Sequence, residues 1–302
     1  MIDVLEAEED RTVLRSYGTR LLRTTVSRDE NGFVWVRRPG PDAPAPFAPA
    51  RISADPALET AAVEGVGGLR LALGTPVGEG RLYRAFGPDT VAGRLLYGGG
   101  GPGLSVHLRG LGAMLRHLHG ITPAEGTAAL GRPRGLDRLG RWLADPAPER
   151  VDAAGRAARE RLGDRRWGLL RDWYGELLAA APALCHGAPG LGSLVPGGEG
   201  AAAVLLTGED LSAGPPVFDL GWTVGELTEL AWQMGRGREI WQPLLTALFE
   251  GYGDDLGPHW YRWAALRTVL HTHDFSTYTE AAPDLVPKYA DFVGHLIDAE
   301  AK

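Results

Sequence analysis

The sequence predicts an α+β protein with two lobes, a small β-rich N-terminal lobe (residues 1–88) and a larger helical C-terminal lobe (residues 89–302). Short β-branched and aromatic runs separated by turn residues fill the first third, which is typical of strands. From Leu104 onward, leucines recur at spacings of three and four residues, which is typical of amphipathic helices. Because the strands precede the helices and do not alternate with them, the pattern favours α+β over a parallel α/β sheet.

The N-terminal lobe begins with a predicted hairpin. Its strands are RLLRTTVS (20–27) and GFVWVRR (32–38), and the intervening RDEN, followed by Gly32, suits a hairpin turn. The proline-rich residues 38–50 are predicted to form a surface loop, because proline fixes φ and lacks a backbone donor.

One helix and two further strands complete the predicted N-terminal lobe. Asp55 is placed to cap the helix, and Pro56 is placed at its first position. Residues 69–87 contain two apolar runs around a Gly/Pro turn. The expected order is therefore strand, strand, helix, strand, strand.

The C-terminal lobe is predicted to be mainly helical. Its clearest helix spans residues 104–120 and ends at Gly120, since glycine commonly terminates helices. The preceding tract YGGGGPG (97–103) is interpreted as a connector, because no Gly-Lys-Ser/Thr follows to complete a phosphate-binding loop. Further helices are predicted near residues 136–144, 150–163, 165–181, 222–234, 239–251, 258–272 and 285–300.

Composition narrows the classes of function. The net charge of −7 disfavours nonspecific nucleic-acid binding. A single cysteine, Cys185, excludes an intrachain disulfide framework and fits a reducing cytoplasm. The acidic N-terminus lacks the features of a secretory signal, and no 18-residue apolar run occurs. We therefore expect a cytoplasmic protein with neither a nucleic acid nor a membrane as its partner.

Three segments contain recognisable motifs: HGAPGLGSLV (186–195), VLLTGEDLSAGPPVFDLGW (204–222) and LGAMLRHLHG (111–120). They resemble motifs of the aminoglycoside phosphotransferase family of kinase-like enzymes. HGAPGLGSLV (186–195) resembles the family's catalytic loop, which reads HGDxxxxN. VLLTGEDLSAGPPVFDLGW (204–222) resembles its metal-binding stretch, and LGAMLRHLHG (111–120) resembles the helix that opens its C-terminal lobe. The resemblance implies a two-lobed protein-kinase-like fold.

At the matching positions, the residues that perform phosphoryl transfer in the family are replaced. Ala188 stands at the position of the Asp that orients the acceptor hydroxyl, Ser193 at that of a metal-binding Asn, and Thr207 at that of a metal-binding Asp. Phosphoryl transfer depends on these groups to position the acceptor and to hold Mg²⁺. The resemblance therefore implies a pseudokinase with no cofactor, in which binding of Mg·ATP is weak or absent.

Other positions match the family's scaffold and its nucleotide-contacting strand. His186 and Asp219 correspond to residues that brace the catalytic loop in such folds. Arg37 lies in VWVRR, which resembles the strand that carries the phosphate-binding lysine, and Glu59 on the following helix is a candidate ion-pair partner. Arg37 and Glu59 are therefore the candidate cofactor-binding residues, although a guanidinium lacks the compact geometry of an ammonium group.

Two further groups of residues are weighed as metal ligands. Glu209 and Asp210 follow Thr207 by two and three residues and are the candidate metal ligands, with a structural or solvated role as the alternative. His271 and His273 lie two residues apart, so on a helix they face different directions, which disfavours a metal site.

Three functional hypotheses follow. The first is a catalytically impaired, phosphotransferase-like protein that binds a protein partner, a peptide or a small molecule in its cleft, as a homo- or hetero-oligomer or alone. The second is an active atypical ATP-dependent phosphotransferase that uses Glu209 or Asp210 as a metal ligand. The third is a subunit for natural-product peptide modification, because bacterial pathways of this kind use proteins that resemble this family. The tryptophans of the C-terminal lobe are interpreted as core residues or as a partner surface.

Overall fold

The structure is a computed structural model that describes residues 11–44, 47, 55–98, 103–123, 130–144, 153–197, 202–235, 238–253, 259–279 and 284–300. Within these ranges an antiparallel sheet precedes a mainly helical region, so the predicted two-lobed α+β class is confirmed. Most of the predicted glycine connector lies outside the described residues. None of the helices described is both long enough and apolar enough to cross a membrane.

A five-stranded antiparallel sheet, in the order β1-β2-β3-β6-β5, forms the N-terminal lobe. Strand β4 lies in the same stretch of chain but belongs to a different sheet. The strands are β1 (Thr12–Gly18), β2 (Leu22–Asp29), β3 (Gly32–Pro39), β4 (Leu69–Ala72), β5 (Thr75–Val77) and β6 (Gly80–Ala85).

The predicted hairpin is formed by β2 and β3, with Asp29 paired to Gly32 at the turn. Gly32 has φ +118, a conformation that side-chain-bearing residues rarely adopt. Strand β1 is an addition to the predicted order. Six of its seven residues are exposed, so its sequence lacks the alternation of apolar and polar residues that marks a half-buried strand.

Helices α1 (Pro56–Val63) and α2 (Val91–Tyr97) flank the later strands. The Asp55 side chain accepts a hydrogen bond from the amide of Ala57, so the predicted cap of α1 is confirmed. Thr90 caps α2 in the same way by accepting from the amide of Gly93. With only seven residues, α2 is too short for a clear helical period, and the sequence did not predict it.

Short strands connect the two halves of the chain. β9 (Ala203–Leu206) pairs in parallel with β4 and antiparallel with β8 (Leu194–Val195). β7 (Ala183–Cys185) pairs with β10 (Ser212–Gly214). Because β4 precedes residue 88 and β9 follows it, one sheet spans the predicted lobe boundary and places the two family-like motifs beside the N-terminal lobe.

Seven helices make up most of the C-terminal lobe within the described residues, and each matches a predicted helical region. The predicted break near residue 164 is a kink at Gly163, which has φ 75 inside one long helix. The helices are α3 (Leu104–Gly120), α4 (Arg134–Leu143), α5 (Ala153–Ala179), α6 (Pro216–Met234), α7 (Arg238–Tyr252), α8 (Trp260–Tyr278) and α9 (Leu285–Glu300).

Helix α3 lies at the centre of the C-terminal core. Its residues Leu108, Leu111 and Leu115 are fully buried, as the leucine spacing predicts. A Cβ added at Gly112 would lie 2.1 Å from the Leu248 carbonyl oxygen of α7, so only glycine fits at this crossing. The close packing of α3 on α7 therefore depends on glycine, which has no side chain, at position 112.

Gly112→Ala should lower the free energy of unfolding by about 1–3 kcal/mol, because the new methyl group meets backbone atoms that cannot move away independently. Gly120→Ala, in the same helix, is the matched control, since a Cβ at this position meets nothing within 4 Å. The control should be neutral or stabilising by roughly 0.5–1 kcal/mol, as expected for Gly to Ala in a helix. Urea unfolding of both variants measures the difference, and equal effects would contradict the packing assignment.

Candidate functional site

A cleft of about 850 Å³ lies between the β-rich and helical parts of the chain. Its walls include Arg37 of β3, the loop that carries His186 and Ala188, the Glu209–Asp210 segment, and the cleft-facing side of α8. The cleft therefore brings together several of the residues that the sequence singled out, although they come from distant parts of the chain.

A buried carboxylate holds the loop that enters this cleft. Asp219, near the start of α6, accepts hydrogen bonds from the amides of His186 (2.7 Å) and Gly187 (2.9 Å). Gly187 has φ 87, and a Cβ there would lie 2.0 Å from the Asp210 carbonyl oxygen, so the turn requires glycine. The structure thus brings His186 and Asp219 together in the loop-bracing arrangement that the resemblance implies.

His119 and Cys185 also lie close to Asp219, and the three form a group with the ligand types of a metal site. Their polar atoms already have protein partners. The His119 ring bridges the Asp219 carboxylate (3.1 Å) and the Tyr252 hydroxyl (2.9 Å), and the Cys185 thiol donates to the Gly214 carbonyl. Burial raises the pKa of Cys185 far above its usual value, so the sulfur stays protonated and this group is structural.

The three positions that differ from the family lie in or beside the cleft. Ala188 is half-buried and presents only a methyl group. The Ser193 hydroxyl accepts a hydrogen bond from Arg37 (3.1 Å). The Thr207 hydroxyl is fully buried and donates to the Leu205 carbonyl (2.9 Å), so it faces the backbone of its own strand.

Arg37 forms a buried ion pair with Glu209 across the junction of the two lobes. A guanidinium nitrogen of Arg37 lies 2.5 Å from a Glu209 carboxylate oxygen, and the side chains are 7% and 4% exposed. The Tyr83 hydroxyl of β6 donates to the other Glu209 oxygen, and Arg37 also donates to the Gly192 carbonyl (3.3 Å). Both carboxylate oxygens are therefore occupied by protein donors.

The ionisation of this cluster follows from its pairing. Burial alone would raise the pKa of Glu209, but Arg37 and the Tyr83 hydroxyl outweigh it and hold that pKa below the usual value. Burial likewise acts to lower the pKa of Arg37, and the Glu209 carboxylate reverses the effect. Burial beside the Glu209 charge raises the pKa of Tyr83 well above its usual value. Glu209 is thus an anion and Tyr83 a neutral donor near neutral pH.

The structure corrects the expected partner of Arg37. Glu59 is exposed on α1, whereas Arg37 pairs with Glu209. Sequence reasoning predicted Glu209 as a candidate metal ligand and missed this pairing, because the two residues are 172 positions apart. Asp210 is also engaged, since Arg134 of α4 binds its carboxylate through two nitrogens at 2.7 and 3.1 Å.

These donor sets do not fit a Mg²⁺–nucleotide group. A hard divalent cation selects carboxylate oxygens that are free to coordinate it. Here Glu209 is paired with the buried Arg37 and Asp210 with the partly exposed Arg134, and the Ser193 hydroxyl is hydrogen-bonded to Arg37. Moving Glu209 onto a metal would leave the Arg37 guanidinium buried without a counter-ion, which is strongly unfavourable.

Backbone contacts hold the mouth of the cleft. The turn between β1 and β2 reaches the C-terminal lobe, where the Arg20 amide donates to the Tyr278 carbonyl (2.9 Å). The loop after β3 contacts α4, since Arg134 donates to the Pro44 carbonyl (3.3 Å) and lies over the Phe47 ring at 5.9 Å. These contacts fasten the N-terminal lobe to the helical lobe in addition to the Arg37–Glu209 pair.

Solved structures of kinase-like phosphotransferases are similar to this chain along nearly its full length. A choline/ethanolamine kinase family protein from Mesorhizobium loti has a TM-score of 0.56 and 16% identity, covering 100% of this chain and 92% of that chain. Spectinomycin phosphotransferase, solved with ADP and spectinomycin, has a TM-score of 0.54 and 10% identity over 96% and 93%. An aminoglycoside phosphotransferase from Streptomyces rimosus has a TM-score of 0.51 and 15% identity over 88% and 96%.

The chain has the kinase-like fold of these phosphotransferases. No protein-family profile and no curated protein sequence matches it. At identities of 16% or less, the similarity shows the fold alone.

The end of the cleft within this kinase-like fold contains a second group of polar residues, which sequence reasoning did not single out as a site. It comprises Glu226 and Glu229 of α6 and Arg267 and His271 of α8. Burial raises the pKa of Glu229 to about 7 and lowers that of His271 to about 3. The spacings of three residues in α6 and four residues in α8 place each pair on a shared helix face, but only the packing of α6 on α8 brings the two pairs together.

The remaining predicted features have other roles in the described residues. His273 bonds Asp274, which pairs through two hydrogen bonds with Arg138, so this His lies in an ion-pair network. Of the tryptophans, Trp222 lines the cleft, while others line a separate groove of about 800 Å³ on the C-terminal lobe; these are Trp232, Trp241 and Trp260.

Asp219→Asn should destabilise the protein by roughly 2–4 kcal/mol, because the amide group offers fewer acceptor sites to the amides of His186 and Gly187 and to His119. Asp284→Asn, at an exposed ion pair with Lys288, is the matched control and should cost under about 1 kcal/mol. Urea unfolding monitored by circular dichroism measures both. A loss at Asp219 no larger than that of the control would contradict its bracing role.

Glu229 should make folding depend on pH. Its folded pKa of about 7 lies above the value of 4.5 for an unperturbed group, so protonated Glu229 is favoured by folding and this stabilisation is lost as pH rises through 7. Between about pH 5 and pH 8, wild type should lose on the order of 3 kcal/mol relative to Glu229→Gln. Unfolding free energies at both pH values test this, with Glu250→Gln at an exposed pair as the control. A wild type to Glu229→Gln difference that does not change with pH would refute the assignment.

Proposed function

We propose that this protein is a noncatalytic, kinase-like binding protein that uses the cleft between its lobes to hold a ligand and does not transfer phosphate. The observation that carries the proposal is the buried Arg37–Glu209 pair, with Tyr83 on the second carboxylate oxygen. Arg37 stands at the position at which the resemblance places a phosphate-binding cation, and Glu209 is a candidate for a displaced metal ligand. Arg37 and Glu209, which would otherwise be the candidates to bind Mg·ATP, are thus bound to each other.

The loop residues support the same proposal. Ala188 has no group to orient an acceptor hydroxyl, and the Thr207 hydroxyl donates to a backbone carbonyl. Phosphoryl transfer depends on positioning and on compensation of the phosphate charge. With Ser193 bonded to Arg37, none of the three positions offers a carboxylate or a free amide oxygen.

The size of the cleft favours a ligand within it. Small-molecule sites commonly enclose roughly 300–1,000 Å³, and this cleft encloses about 850 Å³. Its braced loop and fastened mouth keep that space formed. A role beside a peptide-modifying enzyme is the context that the sequence resemblance suggests for such a ligand, and a peptide segment is one occupant of suitable size.

Calorimetry with ATP should give no saturable heat that depends on Mg²⁺, because the carboxylates of Glu209 and Asp210 are already paired with Arg37 and Arg134. The same protein should transfer no ³²P from ATP to candidate peptides or small molecules. Spectinomycin phosphotransferase, whose structure contains ADP, provides the positive control for both assays.

The competing function is an active phosphotransferase with Glu209 or Asp210 as the metal ligand. It requires Mg²⁺-dependent ATP binding and transfer that is lost in Glu209→Gln or Asp210→Asn. Circular dichroism of each variant establishes that the loss is not caused by unfolding. That set of results would contradict the noncatalytic proposal.

A further inference from the structure

Arg267 is a buried cation at the inner end of the cleft. Its side chain is 10% exposed, and within the part of the chain that the structure describes its Nε has no hydrogen-bond partner. The stem passes over Gly225 of α6, where a Cβ would lie 2.5 Å from the Arg267 Cγ. The guanidinium lies over the Trp222 ring, 4.6 Å from its centroid, and both residues line the cleft.

The acids near Arg267 take their hydrogen bonds from other donors. One Glu229 oxygen accepts from the Tyr289 hydroxyl (2.8 Å) and the Gln233 amide (2.9 Å), while the other is 4.0 Å from Arg267. A Glu226 oxygen accepts from the Leu191 amide (2.8 Å). Arg267 therefore has acidic neighbours that balance its charge without satisfying its donors.

A buried guanidinium with unused donors lowers stability unless something binds it. Functional sites commonly contain such groups, because the partner that satisfies them is the ligand. The position of Arg267 on the cleft wall gives that ligand a route to it. The flat, forked guanidinium suits a planar carboxylate, which accepts two parallel hydrogen bonds.

The surroundings select the charge and shape of the ligand. Glu226 and Asp274 also line the cleft, so a ligand with two negative charges is repelled more than one with a single charge. Trp222, Phe275 and Tyr278 supply aromatic surface on the same walls. A singly charged acid with an apolar or aromatic body fits both features.

We propose that this end of the cleft binds a monocarboxylic acid with an apolar or aromatic body, with the carboxylate on Arg267 and the body against Trp222. The inference rests on the proposed binding function and adds the chemical class of the ligand. A free small acid and the C-terminal residue of a peptide share this chemistry.

N-acetylphenylalanine is the probe, and its amide, which lacks only the charge, is the matched neutral control. Calorimetry with wild type should show saturable binding of the acid, at least tenfold weaker binding of the amide, and weaker binding of phenyl phosphate. Acetyl-Gly-Gly-Phe distinguishes the sources: tighter binding than the single residue identifies a peptide end, and equal or weaker binding a free acid. Either result supports the carboxylate assignment.

Arg267→Met should weaken binding of the acid at least tenfold and leave binding of the amide unchanged. Arg267→Lys keeps the charge but loses the fork and should weaken the acid severalfold. Arg109→Met is the control, because Arg109 lies outside the cleft in an exposed ion pair with Glu250. The control should bind the acid as wild type does.

Stability separates a ligand-binding role from a structural one. At about pH 6, Glu229 is protonated because its pKa is about 7, so Arg267→Met removes an unsatisfied cation without leaving an ionised Glu229 behind. The ligand-free variant should melt at the same temperature as wild type or higher. A clear drop in melting temperature together with unchanged acid binding would show that Arg267 is structural.

The inference is overturned if wild type does not bind the acid up to 10 mM, if phenyl phosphate binds more tightly, or if Arg267→Met binds the acid as wild type does. Each of these results is independent of the ATP assays. Mg²⁺-dependent phosphate transfer would instead overturn the proposed function. The carboxylate assignment would still be decided by the titrations with the acid, its amide and phenyl phosphate.

Discussion

The requirement that a buried charge be paired organises the centre of this molecule. Glu209 is 4% exposed between the two lobes and is held by Arg37 from the N-terminal sheet and by the hydroxyl of Tyr83. Removing either charge would leave the other unpaired in a region of low dielectric constant, so the pair ties the sheet to the helical lobe. Asp219 follows the same rule, because its carboxylate is fully buried and satisfied by two loop amides and a histidine. The position of the loop and the closure of the lobes both follow from these carboxylates.

The same pairing is the basis of the proposal that this kinase-like chain does not transfer phosphate. Spectinomycin phosphotransferase and this chain share the fold at a TM-score of 0.54 with 10% identity. Shape depends on packing and on the bracing of Asp219, whereas phosphoryl transfer depends on a few free charges at the loop. In this chain the candidate residues Arg37, Glu209 and Asp210 are held in the ion pairs Arg37–Glu209 and Arg134–Asp210. The cleft is therefore formed, but its charges are neutralised at the end that faces the sheet.

The inner end of the cleft follows a different rule. There the acids Glu226 and Glu229 bond to other groups, and Arg267 remains without a hydrogen bond at Nε. A packed core would tolerate this only at a cost in stability, whereas a ligand site gains a preformed donor. The contrast between satisfied pairs at one end and an unsatisfied cation at the other indicates where ligand chemistry is to be expected.

The sequence by itself determined the class of the fold and most of its elements. Leucine spacing predicted α3, turn residues predicted the β2–β3 hairpin, and Asp55 predicted a helix cap, because each depends on residues close together in the chain. The motifs around His186 and Asp219 likewise indicated which loop matters.

Tertiary structure alone decided the partners of the charges. Arg37 pairs with Glu209 across 172 positions and not with Glu59, and Arg267 meets Trp222 only where α8 packs on α6. Local patterns fix which face of an element is buried, but the pairing of charges depends on how distant elements pack, and that information is not contained in any short segment.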